Sequence, residues 1–163
     1  MTPIKRTLNH ADIERRPELV WNAFVDLLAG EDYDDLSATQ RVAHLAFWYD
    51  SEVQNGGHGQ YFDNIGLAKA KETITALEAM GLECQAAVMR TACEAAERQL
   101  AVPLTAEKQF RALLRWLMSS RAPQSPSPYQ MVDEAYYRCS PTIVDALEAY
   151  LARYRSEFLE EQP

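Results

Sequence analysis

The sequence predicts an all-α domain of about seven helices gathered around a central buried helix at about residues 37–54. Three observations predict it: apolar residues recur at spacings of three and four along most of the chain, capping and stop residues bracket these runs, and no period-2 alternation of useful length occurs. At 163 residues, 47% apolar and 25% charged, the chain suffices for one globular domain with a full core, read as spanning 1–163.

The elements follow in order. Residues 1–16 form a polar lead-in with room for a short helical turn. Pro17 suits the first position of a helix whose stripe is Val20, Trp21, Phe24, Leu27 and Leu28, with Gly30 placed to end it. Glu31, Asp32, Asp34 and Asp35 crowd four carboxylates into five residues, a density of like charge that favours a solvated loop. Ser37 and Gln40 have capping-box spacing, so the central helix starts there. Along it Val42, Leu45, Ala46, Tyr49 and Val53 keep helical spacing, while Ala43, Phe47 and Trp48 make a second face apolar. Asp50 and Glu52 fall in its last turn, where the helix dipole disfavours negative charge, so they call for loop N–H groups, a basic side chain or water.

Asn55, Gly56 and Gly57 are placed to end that helix in a left-handed cap, and 60–64 makes a further helical turn with Tyr61 and Phe62 tucked inward. A helix from Leu67 closes at Gly81. Another runs over 83–100 with Met89, Ala92, Cys93, Ala96 and Leu100 inside. Thr105 caps a helix striped by Phe110, Leu113, Leu114 and Leu117, and 119–128 is a Pro- and Ser-rich loop. A short helix over 129–139 precedes a last one, for which Ser140 and Pro141 supply cap and first position. Its stripe is Val144, Leu147, Leu151, Tyr154 and Phe158, with Arg153 and Glu157 able to pair outside.

Charge narrows the function. The net charge is −8, and it is uneven: residues 1–80 hold 7 basic against 13 acidic side chains. That balance argues against direct nucleic-acid or anionic-membrane binding and admits a basic partner. Cys84, Cys93 and Cys139 show no CxxC pairing, so they read as buried thiols in a reducing compartment, with no zinc site. With no apolar run of membrane-spanning length, the expected location is the cytoplasm.

The stretch 52–64, Glu-Val-Gln-Asn-Gly-Gly-His-Gly-Gln-Tyr-Phe-Asp-Asn, is the part helical periodicity explains least. Its three glycines in four positions mark backbone that a Cβ would forbid. As a phosphate cradle it lacks a following lysine, the nearest being Lys69, and a preceding strand. As a hydrolytic site it would use His58 as a base oriented by Glu52 or Asp50, with Asn55 or Gln60 polarising a substrate, but it names no nucleophile. Amides at helix ends also satisfy free backbone groups, which alone would account for Asn55, Gln60 and Asn64. His44 and His10 read as ordinary hydrogen-bonded or exposed residues. No metal or cofactor is expected.

Glu52-x-x-Asn55-Gly56-Gly57-x-x-Gln60-Tyr61-Phe62-x-Asn64, led in by Trp48-Tyr49, resembles the signature of a bacterial domain family of unknown function typified by the DMP-type DNA-mimic protein. Asp133-Glu134-x-Tyr136-Tyr137 and the Tyr150/Tyr154 helix resemble the C-terminal portion of that family, so the likeness covers about 37–158. The family usually carries an aromatic, commonly Phe, at the position of His58. The resemblance implies an acidic, all-helical, dimeric protein that covers the DNA-binding face of a basic regulator or nucleoid protein with surface carboxylates. By charge alone the candidates are Glu31, Asp32, Asp34 and Asp35, with Glu157, Glu160 and Glu161 toward the other end. The expectation is a non-enzymatic interaction protein; the alternative is a small-molecule or hydrolytic site on the 52–64 loop.

Overall fold

The computed structural model of the protein describes residues 3–101 and 127–163. In them the chain runs β1 (Arg6–Asn9), α1 (His10–Arg15), α2 (Glu18–Gly30), a 3-10 turn (Tyr33–Asp35), α3 (Ala38–Asn64), α4 (Leu67–Ala79), α5 (Glu83–Leu100), α6 (Gln130–Tyr136), α7 (Ile143–Phe158) and β2 (Leu159–Gln162). The fold is all-α, and α3 is its centre, in contact with α2, α4, α6 and α7. The helix expected over 105–117 and nearly all of the 119–128 loop lie outside the described residues.

The stripes read from sequence meet around α3. Phe24, Leu27 and Leu28 of α2, Ala46, Tyr49 and Val53 of α3, and Leu147 and Phe158 of α7 join one core with Leu77 and Met89. Fully burying each large apolar side chain contributes about 1.5–3 kcal/mol, so this cluster is the main driving force for the fold. α4 lies along α5, and small residues are buried on both: Ala70 and Ala76 on α4, and Ala86, Ala92 and Ala96 on α5.

The capping box also ties the chain ends to the centre. Ser37 Oγ accepts from the Gln40 backbone N–H, and Gln40 Oε1 accepts from the Ser37 backbone N–H. The Gln40 side chain is fully buried, and its Nε2 donates to the carbonyls of Ile4 and, at 2.9 Å, Glu157. One amide thus holds the lead-in, the start of α3 and the end of α7.

Several expectations are corrected. The polar lead-in contains a strand, and it pairs in parallel with a strand after α7, Arg6 opposite Leu159 and Asn9 opposite Gln162. The break of the central helix, by contrast, falls where expected, at Gly56 and Gly57, and a further helical segment follows it to Asn64. Leu100 is 77% exposed instead of inside. Thr142, not Ser140, caps α7: its Oγ1 accepts from the Asp145 N–H while Asp145 Oδ2 accepts from the Thr142 N–H. Ile143 is buried in place of Val144, and Arg155, not Arg153, makes the outward ion pair, 2.6 Å from Glu161. Cys84 and Cys139 are joined in a disulfide, leaving Cys93 as the free thiol. That bond removes the cysteine argument for a reducing compartment. Among the described residues no helix is long and apolar enough to cross a membrane.

Gln40→Glu keeps the acceptor for Ser37 but sets a carboxylate against two carbonyl oxygens in a dry site. Urea unfolding should show a loss of about 2–3 kcal/mol, the cost of stripping buried carbonyls of their donor.

Candidate functional site

The break in α3 is built from two glycines with different tasks. Gly57 has φ +74, a left-handed conformation that side chains rarely adopt, and a Cβ there would lie 2.7 Å from Asp133 Oδ2. Gly56 is not left-handed, with φ −157; its requirement is space, since a Cβ would meet Gln60 Oε1 and sit 2.9 Å from Gln60 Cβ. The special backbone predicted for this stretch is therefore at Gly57, and Asp133 of α6 is what occupies the room it leaves.

Asp133 locks the joint through His58. Its Oδ1 accepts from the His58 backbone N–H at 2.9 Å and from Nδ1 at 2.7 Å. A carboxylate only accepts, so the proton is on Nδ1, and Nε2 is free to accept from the Tyr49 hydroxyl at 2.9 Å. Burial holds the His58 pKa below its ordinary value despite the opposing pull of Asp133, and burial raises the Tyr49 phenol well above its own. Both side chains are fully buried. The chain from phenol to imidazole to carboxylate is a brace whose one charge sits on Asp133 and whose buried imidazole is closed to a substrate.

The next polar group is Glu52. Its Oε2 accepts from Gln60 Nε2 at 2.7 Å and from Asn64 Nδ2 at 2.8 Å, so the resumed segment of α3 folds its amides back onto the segment before the break. Glu52 is 8% exposed and meets neutral donors only among the described residues. Asp50 is held the same way, by Gln54 Nε2 at 2.9 Å and by the Tyr136 hydroxyl of α6. The partners expected for these two acids were loop N–H groups, a basic side chain or water; amides and a phenol take that place. Tyr61 is buried, donating or accepting with Thr73 Oγ1 at 2.9 Å, and burial pushes its pKa up to about 12. Phe62 is half-buried between Tyr61 and Tyr129. Asn55 is exposed.

The two segments that carry the family resemblance are thus one assembly. Asp133 braces His58, Tyr136 reaches Asp50, and the Tyr137 hydroxyl donates to the Val53 carbonyl at 3.4 Å. Sequence reasoning named both segments but did not join them. The signal was present in Asp133, an acid placed three residues ahead of the aromatic pair Tyr136-Tyr137, but the pairing spans 75 residues.

The sequence profile of the DMP19-like protein family matches residues 34–154, nearly three quarters of the chain. The chain belongs to the DMP19-like protein family. No curated protein and no solved structure matches it. The DMP19-like region contains the whole glycine joint, Asp133, Tyr136 and Tyr137, and it includes Asp34 and Asp35 but not Glu31 or Asp32.

The acidic candidates of this DMP19-like chain lie on the turn before α3. Glu31 is engaged by Arg6 at 2.7 Å, and Arg6 also meets Asp26 at 2.6 Å. Asp32, Asp34 and Asp35 are exposed and make no ion pair among the described residues. The turn beneath them is clamped: Arg41 donates to the Tyr33 carbonyl at 3.0 Å and to the Asp34 carbonyl at 2.7 Å, and the Tyr33 hydroxyl donates to Glu72 at 2.6 Å. Because Arg6 is the ladder partner of Leu159, Glu160 and Glu161 lie at the same edge of the molecule as Asp26 and Glu31. Glu161 is itself matched by Arg155 and His10, and the Glu157 carbonyl serves Gln40. His44 is half-buried against Tyr33 and Trp48. Among the described residues no three His, Cys, Asp or Glu side chains converge as a metal site.

Two outcomes follow from this geometry. Gly57→Ala must combine a disfavoured φ with a collision at Asp133, so chemical denaturation should show a loss of roughly 2–4 kcal/mol. His58 titrates below its unfolded value of about 6.5, so its share of stability is complete above that pH and is lost as pH falls through the lowered folded value. Melting temperature followed from pH 8 to 5 should fall more steeply below about 6.5 for the wild type than for His58→Phe.

Proposed function

We propose that the protein is a non-enzymatic interaction protein that binds a basic DNA-binding protein through carboxylates of its acidic edge. The observation that carries this reading is the contrast between two sets of acids. Glu52 and Asp133 are occupied by donors from their own fold, whereas Asp32, Asp34 and Asp35 stand exposed on a clamped turn and make no ion pair among the described residues. Membership of the DMP19-like family supports the reading, since the DNA-mimic type is what that resemblance implies.

The physics is charge replacement. Carboxylates held at fixed positions neutralise the lysines and arginines that otherwise meet phosphates, so binding is fast, salt-sensitive and competitive with duplex DNA. A rigid presenting turn lowers the ordering cost of that encounter. The alternative of a hydrolytic or small-molecule site on the 52–64 loop gains no support, because His58 is fully buried and both Glu52 donors come from the loop itself.

The test is capture of partners from the native host's lysate at low salt, with elution by salt and by duplex DNA. A basic DNA-binding protein released by both is the expected result. The triple change Asp32→Asn, Asp34→Asn and Asp35→Asn should weaken its capture at least tenfold with the melting temperature unchanged. Capture that ignores the triple change would remove this turn from the interface.

A further inference from the structure

Beside the glycine joint, and sharing Asp50, Tyr136 and Tyr137 with it, lies a cavity of about 210 Å³ between α3, the start of α5 and the segment joining α6 to α7. Asp50 and Gln54 form one wall, Gln85 another, and Tyr136, Tyr137 and Thr142 the rest. It is smaller than the roughly 300–1,000 Å³ of pockets for drug-sized ligands, and its size suits the head of one side chain.

Its polarity is one-sided. Among the described residues Asp50 is the one acidic side chain in the lining, and no Lys, Arg or His lines the cavity. Asp50 is half-buried, in the last turns before the break in α3, where the helix dipole adds further negative potential. Its two neutral donors leave the carboxylate incompletely matched: Oδ2 accepts only from Gln54, at 2.9 Å. A carboxylate has about four acceptor sites.

A second acceptor stands unmatched in the same wall. Gln85 is 2% exposed, and its Nε2 donates to the Pro141 carbonyl at 2.6 Å, which fixes the amide orientation. The Gln85 Oε1, itself buried, then has no donor among the described residues. A buried amide oxygen left in that state is an open request for an N–H. At the mouth, Tyr137 is 63% exposed and packs edge-on to Tyr136, its ring available to a passing cation. The disulfide between Cys84, next to Gln85, and Cys139, itself in the lining, ties two walls together and makes the space preformed.

We infer that this cavity receives the guanidinium or ammonium head of an arginine or lysine side chain presented by the basic partner. A carboxylate, an unmatched amide oxygen and an aromatic rim call for a cation that carries several N–H donors and a flat or compact shape. An anion is repelled by Asp50, and a neutral apolar group would leave Gln85 unanswered. The assignment of the cation to a partner's side chain rests on the interaction reading above; the cation chemistry of the cavity does not.

The experiment uses ethylguanidinium as probe and neutral ethylurea as control, titrated into the full protein at low salt. The readout is the NMR shifts of the Gln54 and Gln85 side-chain amides and of the Asp50 and Tyr137 backbones. The expected result is saturable shifts at these positions with ethylguanidinium alone, weakened at least tenfold by Asp50→Asn. Tyr137→Ala, a change at a ring that is 63% exposed, should weaken them several-fold, and a melting temperature for each variant separates lost binding from lost folding. Absence of saturation, equal shifts with ethylurea, or indifference to both variants would overturn the cavity. If partner capture persists while ethylguanidinium fails, the cavity is wrong and the acidic-edge reading stands. If ethylguanidinium binds but no basic protein is captured, the cation site stands and its assignment to a partner's side chain is overturned.

Discussion

The contact between Gly57 and Asp133 is the constraint on which the rest of the joint depends. With no Cβ at Gly57, the Asp133 carboxylate comes close enough to accept two hydrogen bonds from His58, one from the backbone and one from the ring. That pair of bonds sets the direction in which α3 resumes. The direction in turn brings Gln60 and Asn64 back over Glu52, and it seats the imidazole against Tyr49 in the core. A helix interrupted by two glycines would ordinarily be a hinge; here a carboxylate from 75 residues away makes it a fixed bend.

The joint satisfies its acids with neutral donors. Ion pairs would have been costly to desolvate, and a single lost partner would have left a charge stranded. Amides, phenols and an imidazole avoid that: Glu52, Asp50 and Asp133 each meet two or more N–H or O–H groups and, among the described residues, no Lys or Arg. The same economy explains why the motif resembles an active site in sequence and not in space. His, Glu, Asn and Gln near glycines are the vocabulary of catalysis, but they are also the donors and acceptors needed to close a helix break without water.

The fold was legible wherever neighbours in sequence decide the matter. The capping box at Ser37 and Gln40, the stripe of Phe24, Leu27 and Leu28, and the stop near Gly81 all follow from spacing within a few residues. What sequence missed is set by distant partners. A four-residue strand at Arg6 has too little length to show alternation, and it exists because Leu159 lies beside it. The Cys84–Cys139 bond joins positions 55 residues apart with no local pattern to announce it. At the site, the motif residues were all named, yet their roles were not: Gly57 rather than Gly56 carries the left-handed turn, and the partners of Asp50 and Asp133 became visible only when α6 was laid against α3.

The same distinction governs the acidic edge. Counting carboxylates along 31–35 treats four residues as equivalent, but the parallel ladder brings Arg6 between Asp26 and Glu31 and cancels their field at short range. At physiological ionic strength charges beyond about 8 Å are screened, so a partner approaching the turn meets chiefly Asp32, Asp34 and Asp35. Arg41 does not cancel them in the way Arg6 cancels Glu31, because its guanidinium donates to the Tyr33 and Asp34 carbonyls and not to their carboxylates. It stiffens the turn while leaving the side chains free. Net charge describes how such a protein stays in solution; which acids can still bind a cation is decided by the few basic residues the fold sets among them.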